Sequence, residues 1–344
     1  MIDQVALQKA YETDGIYALQ LEVGDRCLQD CVYCYMNALQ DERNTLTDEH
    51  IKHILHDSHA LGITAIEWLG GEPLLRSSIF DHMALAADLG FRNNIWTGGL
   101  PLQDPKILNN SALYTRRGLI AVHISTVNPE LYQTLHPHRS SDDLTVILEA
   151  VNALLDLGYP AAQILNSVTF TGLQSAADMI ETIEYFESHF GIKTSLNVYH
   201  TYVRPDAPIE ELSKYIPVAS EIARVYERYT RQWGVAKLPM NCVNKQYCSA
   251  TVAVLCDGHV TPCATIRDDQ APTIHDQPSL RQIVAKHRDM LILKKFKRLE
   301  NRPAECQVCD LAKDCWGCRS RAYAAGLSLF GKDPRCFRSE TIPG

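Results

Sequence analysis

No apolar stretch in this chain is long enough to span a bilayer, so no membrane role is expected. The first residues, Met1 to Leu7, carry neither a basic run nor an apolar core, so no secretory signal is expected either. Basic charge is not in excess: the formal net charge is −8, which argues against nucleic acid as the main partner. Low-complexity segments and internal repeats are missing, beyond an alternation of strand-like and helix-like segments. These absences leave a cytoplasmic protein as the expectation. With 46% hydrophobic residues over 344 positions, one large or two ordinary domains can form a core.

What the chain does have is cysteine, twelve in all. In a reducing compartment that number points to metal rather than to disulfides. Cys27, Cys31 and Cys34 stand in the run Cys-Leu-Gln-Asp-Cys-Val-Tyr-Cys, a CX3CX2C spacing. Four thiolates close an iron–sulfur cube and make it an electron carrier. Three thiolates leave one iron open, and an open iron can bind a reactant. A structural zinc site would instead need a fourth protein ligand from far along the chain.

This spacing resembles the signature of the radical S-adenosylmethionine (SAM) family. The resemblance implies SAM chelated to the open iron through its amino and carboxylate groups, and cleaved by a cluster electron to methionine and a 5′-deoxyadenosyl radical. Residues 63–75 strengthen it. They read Ile-Thr-Ala-Ile-Glu-Trp-Leu-Gly-Gly-Glu-Pro-Leu-Leu, a strand-like run ending in two glycines, an acid and a proline. Gly70 and Gly71 let backbone approach a ligand without a Cβ in the way, Glu72 adds an anionic acceptor, and Pro73 stiffens the exit. The run is similar to the family's Gly-Gly-Glu-Pro motif, which implies a hydrogen bond to the SAM amino group.

Strands are expected at 16–24, 62–69, 92–98, 118–126, 162–170 and 192–200, with helices between them. Thr47 reads as a helix cap before Ile51, Ile54 and Leu55. Ser141 opens a longer helix with Leu144, Ile147, Leu148, Val151 and Leu155 on one face, stopped by Gly158. Residues 175–190 repeat the pattern and stop at Gly191. Alternating strands and helices imply parallel pairing through right-handed crossovers, and six units match the partial (β/α)6 TIM-type barrel of the resembled family. Ligands in such α/β architectures sit at the strands' C-terminal ends, where both motifs fall. Residues 208–234 read as a helix leading out of the barrel.

From 235 onward the composition changes, with nine of the twelve cysteines and few long apolar periodicities. So little core calls for metal to hold it. The expected division is therefore 1–234 for the core and 235–344 for a small cysteine-rich domain. Residues 252–263 read as two short strands around the Asp257-Gly258 turn. Cys242-X5-Cys248-X14-Cys263, Cys306-X2-Cys309-X5-Cys315-X2-Cys318 and Cys336 together resemble the SPASM extension of radical SAM enzymes, in a spacing similar to the anaerobic sulfatase-maturating enzymes. That resemblance implies two closed auxiliary [4Fe–4S] clusters, one on Cys242, Cys248, Cys263 and Cys318, the other on Cys306, Cys309, Cys315 and Cys336. With the SAM-binding cluster the total is three. Soft thiolates also accept zinc, and CX2CX5CX2C can close one Zn²⁺ site.

Smaller signals complete the reading. Tyr33 stands where the family often has an aromatic near adenine, and Ser125 resembles its polar residue near the SAM ribose. Thr97-Gly98-Gly99 closes the third strand, and Tyr199 and His200 close the sixth. Cys256 is left over, either a hydrogen-atom donor to a substrate radical or a small apolar filler. The residue after Cys263 is Ala264, where the sulfatase-maturating enzymes have an Asp resembling a general base, and no fused leader-peptide-binding module is expected before Cys27. The resemblance implies a radical SAM/SPASM oxidoreductase supplied by a flavodoxin- or ferredoxin-type one-electron reductant. Its auxiliary clusters accept an electron from a substrate that is a peptide or protein side chain, oxidised or crosslinked. The alternative is a small molecule, an aminoglycoside-like sugar or cofactor precursor, dehydrogenated or epimerised.

Overall fold

The computed structural model describes residues 2–36, 38, 43–199, 213–234, 238–326 and 328–340. Six parallel strands alternate with helices: β1 Ala18–Glu22, β2 Ala65–Leu69, β3 Arg92–Thr97, β4 Leu119–His123, β5 Ile164–Phe170 and β6 Lys193–Val198. Each falls inside its expected range. The result is a mixed α/β fold with the partial barrel that the alternation implies.

Local chemistry sets the helix ends. The Thr47 hydroxyl accepts from His50 N–H at the start of helix Asp48–Ala60. Ser175 and Asp178 form a reciprocal capping box on helix Ala176–Phe190, and Gly191 ends it at φ 67°. Ser141 departs from expectation, because its side chain caps nothing. The Ser140 hydroxyl instead accepts from Asp142 N–H, at the first residue of helix Asp142–Asp156. The expected exit helix is observed as Ala219–Trp233, and 208–212 lie outside the described residues.

Register fixes which side chains face the barrel interior. Gln20 lies beside Glu67, Glu67 beside Asn94, His123 beside Ser167, and Ser167 beside Ser195. The alternate positions, including Leu19, Leu21, Ile66, Trp68, Ile95, Ile120 and Val122, build the main apolar core under the helices. The interior is thus polar and the helix side apolar.

The cysteine-rich region extends this sheet. β7 (Thr251–Val254) pairs in parallel with β1, and β8 (Val260–Thr261) folds back on it through the Asp257-Gly258 turn. The helix Leu280–Leu291, which the sequence reading does not contain, buries Leu280, Ile283, Val284 and Leu291 in the same core as the barrel helices. The described residues after 238 therefore share both sheet and core with the barrel. Among the described residues no helix is long and apolar enough to cross a membrane.

Candidate active site

The chain leaves β1 at Glu22 and turns immediately into the cysteine loop. Glu72 follows β2 and locks that loop in place. Its carboxylate accepts from Leu74 N–H at 3.1 Å, from the Thr97 hydroxyl at 2.9 Å and from Gly98 N–H at 2.7 Å. Burial pushes its pKa up to about 7, against these hydrogen bonds. The carboxylate thus ties the end of β2 to the end of β3, and what the motif turns toward a ligand is backbone.

The two glycines answer to a different constraint from the one expected of them. A Cβ on Gly70 would fall well under 3.0 Å from the carbonyl oxygen of Gly24, and one on Gly71 equally close to that of Arg26. Gly71 N–H donates to Gly24 O, and Glu72 N–H donates to Arg26 O. The glycines let the two loops lie backbone on backbone. Gly71→Ala must therefore push the cysteine loop away from β2. The expected outcome is a folded chain whose SAM affinity falls at least about tenfold, measured by equilibrium binding; unchanged affinity would show that the loop can give way.

The three cysteines of this loop are drawn together. Burial and, next, Glu72 push the Cys27 thiol up to about 12. Cys31 lies well above its usual value through burial and the neighbouring Cys27 and Cys34. Gln29 N–H points at Cys27 Sγ at 3.4 Å. Gln29, Asp30 and His136 hold the loop's shape: the Gln29 amide donates to Gly98 O, Asp30 takes φ 50°, and His136 Nδ1 lies 2.9 Å from Gln29 O.

Tyr33 and Ser125 come together as one buried group. The Tyr33 hydroxyl donates to Ser125 Oγ at 3.0 Å and lies 2.8 Å from His123 Nε2, and Ser125 Oγ accepts from Thr169 N–H at 3.0 Å. The Tyr33 ring packs with Leu135 and Tyr199. Both side chains are thus engaged within the protein, joining the cysteine loop to β4 and β5. Burial holds His123 down to about 3 and His136 down to about 4, so both are neutral. His200 lies outside the described residues.

The remaining cysteines separate into two groups. Cys242 feels Cys248, with which it shares a hydrogen bond, and then Cys263 and Cys318; together with burial these raise its pKa. Cys306, Cys309, Cys315 and Cys336 line one pocket. Polar hydrogens already point at some of these sulfurs: Gly317 N–H at Cys315 Sγ, 3.2 Å, and the Thr265 hydroxyl beside Cys263 Sγ, 3.1 Å. Cys256 joins neither group. It is buried against Met36, Ala38, Cys27 and Cys34, and burial raises its pKa.

Sequence reasoning did not single out Gln29, His123, His136, or the ion pair of Glu22 with Arg267. Arg267 donates to both carboxylate oxygens of Glu22, at 2.7 and 3.0 Å. The available signal was polarity at strand ends and inside a cysteine loop, where apolar filler would otherwise serve. Ala264 is buried, and its N–H donates to the inward-facing Gln20 at 2.9 Å, so the position after Cys263 faces the barrel without offering an acid.

Known proteins resemble this chain in two ways. It is 24% identical to the probable GTP 3′,8-cyclase of Methanothermobacter thermautotrophicus over 276 residues, 75% of this chain and 87% of that protein. It is 25% identical to the S-adenosylmethionine-dependent nucleotide dehydratase of Selenomonas ruminantium over 167 residues, 47% of this chain and 60% of that one. Its fold matches Streptococcus suis SuiB bound to S-adenosylmethionine with TM-score 0.67 at 16% identity, covering 97% of this chain and 80% of that one. The match to anSMEcpe with bound AdoMet and a peptide is also 0.67, at 15% identity and 94% of both chains. Residues 21–186, from the end of β1 into the helix after β5, match the model of the Radical SAM superfamily. The chain therefore carries a radical SAM domain.

Proposed function

We propose that this chain is a radical SAM oxidoreductase with three [4Fe–4S] clusters, built as a core over 1–234 and a SPASM-type auxiliary region over 235–344. The observation that carries this reading is the sorting of eleven cysteines into one group of three and two of four. Cys27, Cys31 and Cys34 would hold the SAM-binding cluster. Cys242, Cys248, Cys263 and Cys318 would hold the nearer auxiliary cluster, and Cys306, Cys309, Cys315 and Cys336 the outer one. One zinc ion needs its sulfurs about 2.3 Å from a single point. A cube spaces its thiolates wider, because each binds a different iron.

When bound, the clusters and SAM supply a 5′-deoxyadenosyl radical and electron acceptors. The chain's own contribution is positioning. Gly70 and Gly71 would present backbone to the SAM amino group, with Glu72 holding that backbone in place. Tyr33 and Ser125 would support the adenosine side of the site from beneath.

The inward face bears on the substrate. By register Gln20, Glu22, Glu67, Asn94, Trp96, His123, Ser167, Thr169, Ser195 and Asn197 turn inward, bringing amides, hydroxyls, an indole, an imidazole and two carboxylates, of which Glu22 is paired with Arg267 and Glu67 accepts from Asn94 and Trp96. Among the described inward strand positions, the cations Arg92 and Lys193 lie at the strands' N-terminal ends. Arg92 pairs with Asp3, and Lys193 lies over the Trp233 ring. This lining suits an uncharged polar substrate better than a nucleoside triphosphate, and we assign it a peptide or protein side chain that is oxidised or crosslinked. The second reading, dehydrogenation or epimerisation of a small molecule, is favoured by Ala264, which leaves no acid after Cys263, and by the small-molecule names of the curated relatives.

Anaerobic reduction with SAM should yield 5′-deoxyadenosine, and the true substrate should raise that rate. SAM cleavage that no peptide or sugar accelerates would overturn both substrate readings. Solvent deuterium in the product, lost in Cys256→Ala, would select epimerisation with Cys256 as hydrogen donor. A desaturated or crosslinked product without deuterium selects oxidation.

A further inference from the structure

Two arginines follow Cys318 and are buried within the cysteine-rich region, and they are held differently. Arg321 has a carboxylate partner: it donates to Asp333 Oδ2 at 2.6 Å, to Pro239 O at 2.9 Å and to Asn241 Oδ1 at 3.1 Å, and only its Nε is unmet. Arg319, 2% exposed, has no carboxylate within ion-pair distance among the described residues. Its Nη1 donates to the carbonyls of Leu329 at 2.9 Å and Gly331 at 2.6 Å, while Nε and Nη2 are buried without a partner. An uncompensated buried cation is costly, and so is an unmet buried N–H. A side chain kept in that condition calls for an anion that accepts hydrogen bonds.

Its position says which anion. Cys315 and Cys318 stand three residues apart yet belong to different cysteine groups. The turn between them passes through Gly317 at φ 61°. A Cβ on Gly317 would lie 2.9 Å from Arg319 Nη2, so the guanidinium lies directly over the turn that joins the two groups. It also sits 4.4 Å from the centre of the Phe296 ring, in an apolar cluster that includes Cys242 and Cys248 from one group and Cys315 from the other.

We propose that Arg319 is a charge shared by the two auxiliary clusters, its unpartnered N–H groups donating to cluster sulfur, and that it sets the reduction potential of both. The proposal rests on the two-cluster reading of residues 235–344. A four-thiolate cube is anionic, and taking up one electron adds a further negative charge. A buried cation between two such cubes favours the reduced form of each. The electron leaving a substrate radical would then be accepted more readily on either side of the turn.

The test is potentiometric titration of the reconstituted enzyme, followed by electron paramagnetic resonance, for wild type, Arg319→Lys and Arg319→Gln. Arg319→Gln should lower both auxiliary potentials, with the reduction equilibrium of each falling about tenfold, a one-electron shift of about 59 mV. Arg319→Lys should keep most of the potential, and the SAM-binding cluster should not move in either variant. Unmoved auxiliary potentials in fully loaded Arg319→Gln would overturn the proposal. Because Arg319→Gln can fail to load, ¹⁵N-arginine-labelled wild type and Arg319→Lys serve as a second measurement. Pulsed resonance on the reduced auxiliary clusters should show a ¹⁵N coupling that Arg319→Lys loses, and a spectrum identical in both would equally overturn it. Wild type that binds iron for only one cube would instead refute the two-cluster reading itself.

Discussion

Replacing Cys31 with alanine should abolish formation of 5′-deoxyadenosine and remove about four irons per chain, leaving the other eight or so in place. Cys31 is half-buried, and burial with its two neighbouring thiols raises its pKa and keeps it protonated when no metal is present. Iron binding replaces those protons, so each thiolate contributes to a single coupled equilibrium. Two remaining thiolates cannot position a cube with one open iron, because the open iron is defined by the other three being held. Cys309→Ala makes the contrast. Its group lines a pocket that includes no residue of the Cys27–Cys34 loop or of β2, so SAM cleavage should survive while iron falls by the same amount and product formation drops. Iron analysis alongside 5′-deoxyadenosine assay separates the two outcomes. SAM cleavage persisting in Cys31→Ala would overturn the assignment of this loop.

The contrast between these two variants follows from how unevenly the site could be read. The six barrel strands were legible because apolar residues on one face, such as Ile66 and Trp68, alternate with inward polar ones, such as Glu67. The division of the later cysteines into two sets came from the resemblance to the SPASM extension, because spacing by itself leaves open whether Cys315 and Cys318 share a site. The edge of the sheet was another matter. Nothing in Thr-Val-Ala-Val distinguishes a strand of a small separate hairpin from one that adds to β1, because the choice depends on a neighbour more than two hundred residues away. The helix Leu280–Leu291 was hidden by its charged residues, which mask a stripe at three- and four-residue steps. Gly70 and Gly71 do mark a close approach, but the atoms they make room for belong to the chain itself. A glycine records that something comes close, not what comes close.

Glu22→Gln carries the largest expected cost outside the cluster ligands. Glu22 is buried at the end of β1, five residues before Cys27, and its carboxylate gathers four donors from three parts of the chain. Arg267 supplies two, the Tyr35 hydroxyl a third at 3.2 Å, and Cys256 N–H a fourth at 3.0 Å. Tyr35 follows Cys34, Cys256 lies two residues beyond β7, and Arg267 lies four residues after Cys263. One carboxylate therefore fastens the SAM-cluster loop to the hairpin that bears the nearer auxiliary group. Burial works against the charge on Arg267, and the charge of Glu22 more than offsets it, so the Arg267 pKa lies above its usual value. Glutamine keeps the shape but removes the anion, leaving Arg267 buried and unpaired. Breaking a buried pair from one side costs about 3–5 kcal/mol, and the lower end applies because the Arg267 side chain retains 23% exposure. Glu22→Gln should thus lower the midpoint of thermal unfolding by several degrees, and SAM cleavage should lose its coupling to product. Arg267→Met alone should be comparably destabilising, since it strands Glu22 instead. The double variant should be less destabilised than the sum, because neither charge is then left alone. If the effects simply add, the pair is not the fastening, and the hydrogen bonds of Glu22 to Tyr35 and Cys256 hold the two cysteine groups in register without it.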